Sequence, residues 1–293
     1  MITYNPKDWF SFIFRLHKSD TIRQLFPLIA GVALYSAAVA YLELEYFELS
    51  DNHHLRNLNV MHTLLSFVIS MLLVFRTNSA YDRWWEGRKL WGALVNNSRN
   101  LALKLNAMLD PTRDEGDRKF FRKIIPMYAK ILSEHLHTEK TRLELDEKEH
   151  PELAHFDKNK HLPNQVASVM FQRLNRLYEE GKIKGDQLII LNSEFQSFTE
   201  ICGACERIKN TPIPYSYSNF LKKFIFFYVM TLPLSFVFSL GYLTIPVTVF
   251  IFYVLASLEL IAEEIEDPFG GDSNDLPTSK IADNIKKHVA EII

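Results

Sequence analysis

The chain has 293 residues, with 33 lysines and arginines against 35 aspartates and glutamates and a formal net charge of -2. No nucleic-acid partner is expected from so even a balance. With 23% charged residues and a mean hydropathy of -0.06, the averages alone would describe an ordinary soluble protein. They conceal a segregation: Arg76 to Lys223 is as polar as a cytosolic domain, and the hydrophobicity is gathered on either side of it.

In chain order, residues 1–24 carry Lys7, Arg15, Lys18 and Arg23 and read as a cytosolic N-terminal segment. Leu25 to Leu42 contains no Asp, Glu, Lys or Arg and is close to the spanning minimum of about 17 residues, which places a first transmembrane helix at 25–44. A cleaved secretory signal is the alternative, suggested by Ala37, Ala38 and Ala40. Cleavage there would export the positively flanked region that follows, against the charge rule. The connection holds Glu45, Glu48, Asp51 and Arg56, and its His53-His54 pair reads as solvated rather than as a ligand set. Asn57 to Phe75 is again uncharged, and a second transmembrane helix is expected at 57–80.

The region 81–215 reads as a helical cytosolic domain. Leu188, Leu191, Phe195, Phe198, Cys202 and Cys205 recur at spacings of 3 and 4 and draw one apolar stripe. Val166, Val169, Met170, Leu174 and Leu177 draw another. Between Glu144 and His161 the sequence is dense in charge, carries Pro151 and lacks periodicity, as an exposed connection does. Cys202-Gly203-Ala204-Cys205 is a CxxC, but both sulfurs fall on the buried stripe rather than at a helix N-terminus, which disfavours redox chemistry. No spacing unites these cysteines with His135 and His137 in a zinc site. No nucleophile, base and orienting group can be assembled, so nothing points to an enzyme.

Phe224 to Leu258 is a run of 35 uncharged residues punctuated by Pro233, Gly241 and Pro246. At about 1.5 Å rise per residue it is too long for one crossing of a ~30 Å hydrocarbon core. Two short crossings at 220–240 and 242–262, folded back at Gly241, are expected, followed by a cytosolic C-terminal segment at 263–293. Lys/Arg asymmetry orients the chain, because Arg76, Arg83, Arg88, Lys89, Lys222 and Lys223 crowd one side. Both termini and the middle domain are therefore expected in the cytosol, with the chain a multi-pass protein of the plasma membrane.

The second apolar segment ends in Phe75-Arg76-Thr77-Asn78-Ser79-Ala80-Tyr81-Asp82-Arg83-Trp84-Trp85-Glu86-Gly87-Arg88, which resembles the signature of the bestrophin family in its bacterial form. Thr211-Pro212-Ile213-Pro214 before the third span resembles that family's TPIP segment. Glu266-Asp267-Pro268-Phe269-Gly270 with Asn274-Asp275-Leu276-Pro277 resembles its Pro-Phe-Gly-acidic segment. The resemblance covers essentially the whole chain. It implies an all-α homopentamer with four transmembrane helices per subunit, a single axial pore and permeant monovalent ions in a lipid bilayer.

Carried over residue by residue, the resemblance implies a hydrophobic pore neck at Phe67, Met71 and Phe75, and the i, i+4, i+8 spacing does put them on one helix face. A ring of five such side chains wets poorly and can close by dewetting. Phenyl edges are electropositive and favour a partly dehydrated anion. Met71 stands where animal relatives carry an aromatic and lacks that edge. A second, cytosolic aperture is implied at Ile213, with Pro212 and Pro214 stiffening the turn. Asp82, Arg83 and Glu86 are candidates for vestibule charges, although pairing of Asp82 or Glu86 with Arg83 or Arg88 at neighbouring turns is the expected local role. Trp84 and Trp85 read as interface anchors.

The acidic segment implies counterparts of a calcium clasp at Glu264, Asp267, Asp272 and Asp275. Gly271, Ser273 and Asn274 interrupt the acidic run, which favours capping and solvation over calcium gating. No other cofactor or metal is expected. The expected function is an anion (chloride) channel; the alternatives are a monovalent cation (sodium) channel of the same fold and a membrane-anchored structural or signalling protein whose helical domain binds a partner.

Overall fold

The computed structural model describes residues 21–48, 57–137, 157 and 160–293. Lys7, Arg15 and Lys18, the His53-His54 pair with Asp51 and Arg56, and the charged connection from Glu144 through Pro151 lie outside the described residues. Every regular element among the described residues is helical. In order these are α1 (Thr21–Tyr41), continued by a π-helical turn Leu42–Tyr46; α2 (Leu58–Met108); α3 (Glu115–His137); α4 (Leu162–Glu179); and α5 (Gly185–Asn210). Then come α6 (Tyr215–Thr231), α7 (Pro233–Leu240), a 3-10 turn Gly241–Leu243, α8 (Thr244–Glu266) and α9 (Thr278–Ile292).

Among the described residues, three helical stretches are long and apolar enough to cross a membrane: Thr21–Tyr46, part of Leu58–Met108, and Tyr215–Glu266. The last is broken twice. Pro233 has no N–H to donate and opens α7 at a first-turn position, where none is needed. Gly241 takes φ +54°, a conformation that strains any residue with a β carbon, and there the chain folds back so that α8 packs along α6 and α7. α2 continues unbroken for 51 residues, past residue 80 where the second span is expected to end.

The chain forms two compact units. One comprises Ile2–Arg83 with Pro212–Glu266, the other Trp84–Thr211 with Asp267–Ile293. In the first, α1 packs on α8, and Val32, Ile69, Leu73, Leu221, Val229 and Leu232 form the core. Polar groups in such a unit must find partners inside it. His62 does so on both ring nitrogens, with Thr231 Oγ1 at 2.9 Å and Ser235 Oγ at 3.1 Å. Tyr35 donates to the Met230 carbonyl and Tyr217 to the Leu72 carbonyl, tying neighbouring helices together.

In the second unit α3 packs against α9, α4 and α5. Both sequence stripes point inward: Leu191, Phe195, Phe198, Cys202 and Cys205 are buried on α5, and Val166, Met170, Leu174 and Leu177 on α4. Each such side chain contributes roughly 1.5–3 kcal/mol on burial. Burial also pushes the Cys202 thiol up to about 12, with the neighbouring Glu206 charge adding to the shift, and raises Cys205 in the same way. Neither sulfur is a thiolate near neutral pH, which leaves the CxxC as packing.

The Pro-Phe-Gly-acidic segment is anchored in this core by Phe269 and Leu276. Gly87 of α2 makes that approach possible, because a β carbon there would lie 3.1 Å from Phe269 and 3.2 Å from Leu276. Trp84 Nε1 donates to the Asn274 carbonyl at 3.0 Å and holds the far side of the same segment.

Candidate functional site

The face of α2 that carries the expected neck residues Phe67, Met71 and Phe75 is apolar and uncovered in the single subunit. Phe67 is 72% exposed, Met71 49% and Phe75 54%, although each is a large hydrophobic group. The opposite side of the same helix is packed: Ile69, Leu73, Arg76 and Ala80 are 2% exposed or less. Helical geometry explains the division, because residues 67, 71 and 75 advance only about 40° per step while 69, 73, 76 and 80 lie on the far side. Thr63, Ser70 and Asn78 border the neck face and are exposed. The Thr63 and Ser70 hydroxyls donate to carbonyls one turn back, so their polarity is satisfied without a neighbouring helix.

Asp82 continues the neck face in helical phase and is exposed. The other two vestibule candidates are engaged. Arg83 Nε donates to the Glu266 carbonyl at 2.9 Å, closing the end of α8. Glu86 meets Arg207 of α5 at 2.5 Å, so its pairing runs to another helix and not to a neighbouring turn of its own.

Arg76 is the residue that sequence reading placed least well. It appears there as one of several flanking cations, yet it is 1% exposed. Its Nη1 lies 2.6 Å from Oε2 of Glu266, and its Nε lies 3.4 Å from Oε2 of Glu259. The second oxygen of Glu266 accepts the backbone N–H of Ile213 at 2.6 Å. Arg76 immediately follows Phe75, so one carboxylate joins the end of the neck face to the backbone of the proposed aperture. A charge buried this deeply is tolerated only when compensated, here by the close ion pair with Glu266 and the hydrogen bond from Nε to Glu259. Nothing local in the sequence signals this, since Glu259 and Glu266 are separated from Arg76 by most of the chain.

Ile213 is half-buried between Pro212 and Pro214, and Pro214 caps α6. Three of the four acidic candidates have a structural role for their carboxylates. Glu264 accepts from Gln24 at 3.0 Å. Asp267 Oδ1 accepts the Phe269 N–H at 3.2 Å, and Asp275 Oδ2 accepts the Asp272 N–H at 2.6 Å, as acidic residues in turns do.

Comparison with known proteins decides the lineage. A family model described as Bacterial/Fungal Bestrophin protein matches residues 1–291. The chain belongs to the bacterial bestrophin family. It is 31% identical to a voltage-dependent anion channel-forming protein of Nostoc sp. over 99% of this chain and 94% of that protein. It is 30% identical to the voltage-dependent anion channel-forming protein YneE of Escherichia coli over 98% of this chain and 92% of the relative. A crystal structure of a bacterial bestrophin homolog from Klebsiella pneumoniae superposes with a TM-score of 0.78 at 25% identity, covering 92% of this chain and 98% of that one. As a bestrophin with long apolar helices, the protein is a membrane protein and not an enzyme.

Proposed function

We propose that this bestrophin is a homopentameric channel for passive flow of small monovalent ions, with anions favoured, in the bacterial inner membrane. The observation that carries the proposal is the uncovered face of Phe67, Met71 and Phe75. Thr63 and Ser70 are satisfied within their own helix, but a lipid-facing surface would not carry the exposed amide of Asn78, whereas a seam around an axial pore tolerates it. Five copies would set three rings of side chains one turn apart, a neck that opens and closes through wetting. The relatives named as anion channel-forming proteins support the anion preference, and the electropositive edges of two phenyl rings supply its physical basis.

The hairpin at Gly241 supports two crossings within Tyr215–Glu266, hence four per subunit with both termini cytosolic. Arg76, Arg83, Lys222 and Lys223 at the ends of the spans favour the same orientation. Ile213 would form the aperture on the cytosolic side. The turn-forming roles of Asp267 and Asp275 favour a channel that opens without calcium. A cation-preferring reading has one observation behind it: Asp82 lies on the neck face, where five carboxylates would concentrate cations.

The test is a planar bilayer containing purified protein under an asymmetric chloride salt gradient. A reversal potential of the sign set by chloride supports the proposal; the opposite sign assigns the channel to cations. Absence of current, or a native mass of one or two 34.2 kDa chains in mild detergent, would overturn the pore altogether.

A further inference from the structure

In the second unit, three side chains from three helices converge outside everything the channel reading uses. His135 sits near the end of α3, His161 is the N-cap residue of α4, and Glu206 lies on α5. Glu206 Oε1 is 2.6 Å from His135 Nε2 and 2.5 Å from His161 Nε2, and the two imidazole rings are 4.6 Å apart. The donor atoms of all three lie within 4.8 Å of one another, and all three residues are half-buried. A tetrahedral zinc ion holds its ligands at about 2.0–2.2 Å, which requires donors about 3.3 Å apart. Small side-chain adjustments reach that spacing.

We propose that His135, His161 and Glu206 form a three-ligand site for a zinc(II) ion, with water in the fourth position. Two imidazoles and one carboxylate suit a borderline ion such as zinc, whereas calcium and magnesium take oxygen donors almost exclusively. The donor set differs from that suggested by the sequence. Cys202 and Cys205 are protonated and face the core, and His137 is occupied by the Gly270 carbonyl and the Thr278 hydroxyl.

Coordination requires a balanced exchange of protons. The carboxylate of Glu206 accepts Nε2–H from both rings. On binding, each proton moves to Nδ1 of the same ring, and the Nε2 lone pair becomes the ligand. At His161 the change displaces the hydrogen bond that Nδ1 accepts from the Asn164 N–H at 3.2 Å, so α4 loses one capping contact. Glu206 is a carboxylate throughout: burial alone would raise its pKa, but hydrogen bonds from His161 and His135 hold it below the usual range. The ion would clamp the end of α3, the start of α4 and the C-terminal end of α5, and so rigidify this unit without touching the neck.

The experiment is titration of zinc chloride into the tag-free, metal-stripped full chain in detergent, followed by calorimetry and by thermal melting. One ion per chain, bound more tightly than roughly 10 µM, with a raised melting midpoint reversed by a chelator, is expected. His161→Asn keeps a good N-cap while removing the imidazole, and Glu206→Gln keeps the shape; each should weaken binding roughly tenfold or more. X-ray absorption of the wild-type zinc complex should show nitrogen and oxygen donors. No saturable binding, binding that survives both substitutions, or sulfur in the coordination shell would overturn the assignment.

Discussion

Replacing Arg76 by Met tests whether the neck and the aperture share one buried support. The substitution keeps most of the side-chain volume and removes the cation that pairs with both Glu259 and Glu266, whose side chains are 5% and 13% exposed. Breaking a buried pair in this way costs about 3–5 kcal/mol. For a chain of this size that is a fall of roughly 10 °C in melting midpoint. Glu266→Gln should cost less, about 1–3 kcal/mol, because Arg76 retains Glu259 at 3.4 Å and the amide oxygen still accepts the Ile213 N–H. Glu266→Ala removes that acceptor as well. It should therefore alter single-channel current more than Glu266→Gln does, since the segment carrying Ile213 is released. Melting in mild detergent, read by loss of the assembled peak on size exclusion, gives the first quantity, and planar-bilayer recording gives the second. An Arg76→Met protein that melts within about 2 °C of the parent would refute the buried-support argument.

Replacing Phe67, Met71 and Phe75 together by Ala should widen and hydrate the neck, so conductance should rise and closure by dewetting should disappear in bilayer recordings; unchanged currents would place the constriction elsewhere. Ile213→Thr keeps the β-branched shape and adds a hydroxyl, so it should enlarge currents and weaken ion preference with little change in melting, while Ile213→Ala should shift preference less. Thiol reagents near pH 8 should label Cys202 and Cys205 only on unfolding, because with a pKa pushed up to about 12 only about one Cys202 in ten thousand is ionised there; rapid labelling of the folded protein would revive the redox reading.

Much of this molecule is legible in local sequence because helices are local objects. The period of 3 and 4 in the stripes of α4 and α5, the uncharged runs and the glycine that folds α8 back on α6 and α7 each depend on neighbours within a few turns. That Phe67, Met71 and Phe75 share a face follows from their spacing alone. Spacing could not say that this face is uncovered while Ile69, Leu73 and Arg76 are packed, because a membrane helix is apolar all round. Packing made that choice. The unbroken length of α2 was also hidden, since the polar residues after Phe75 mark where the lipid-like composition ends and say nothing of where the helix does. Charges were read least well. Arg76 reads as one of several flanking cations, Glu86 as pairing within its own helix and Glu206 as nothing in particular, yet their partners stand on other helices and are brought within about 3 Å only by tertiary packing; only around the buried Arg76 does a lower local dielectric make the encounter strong.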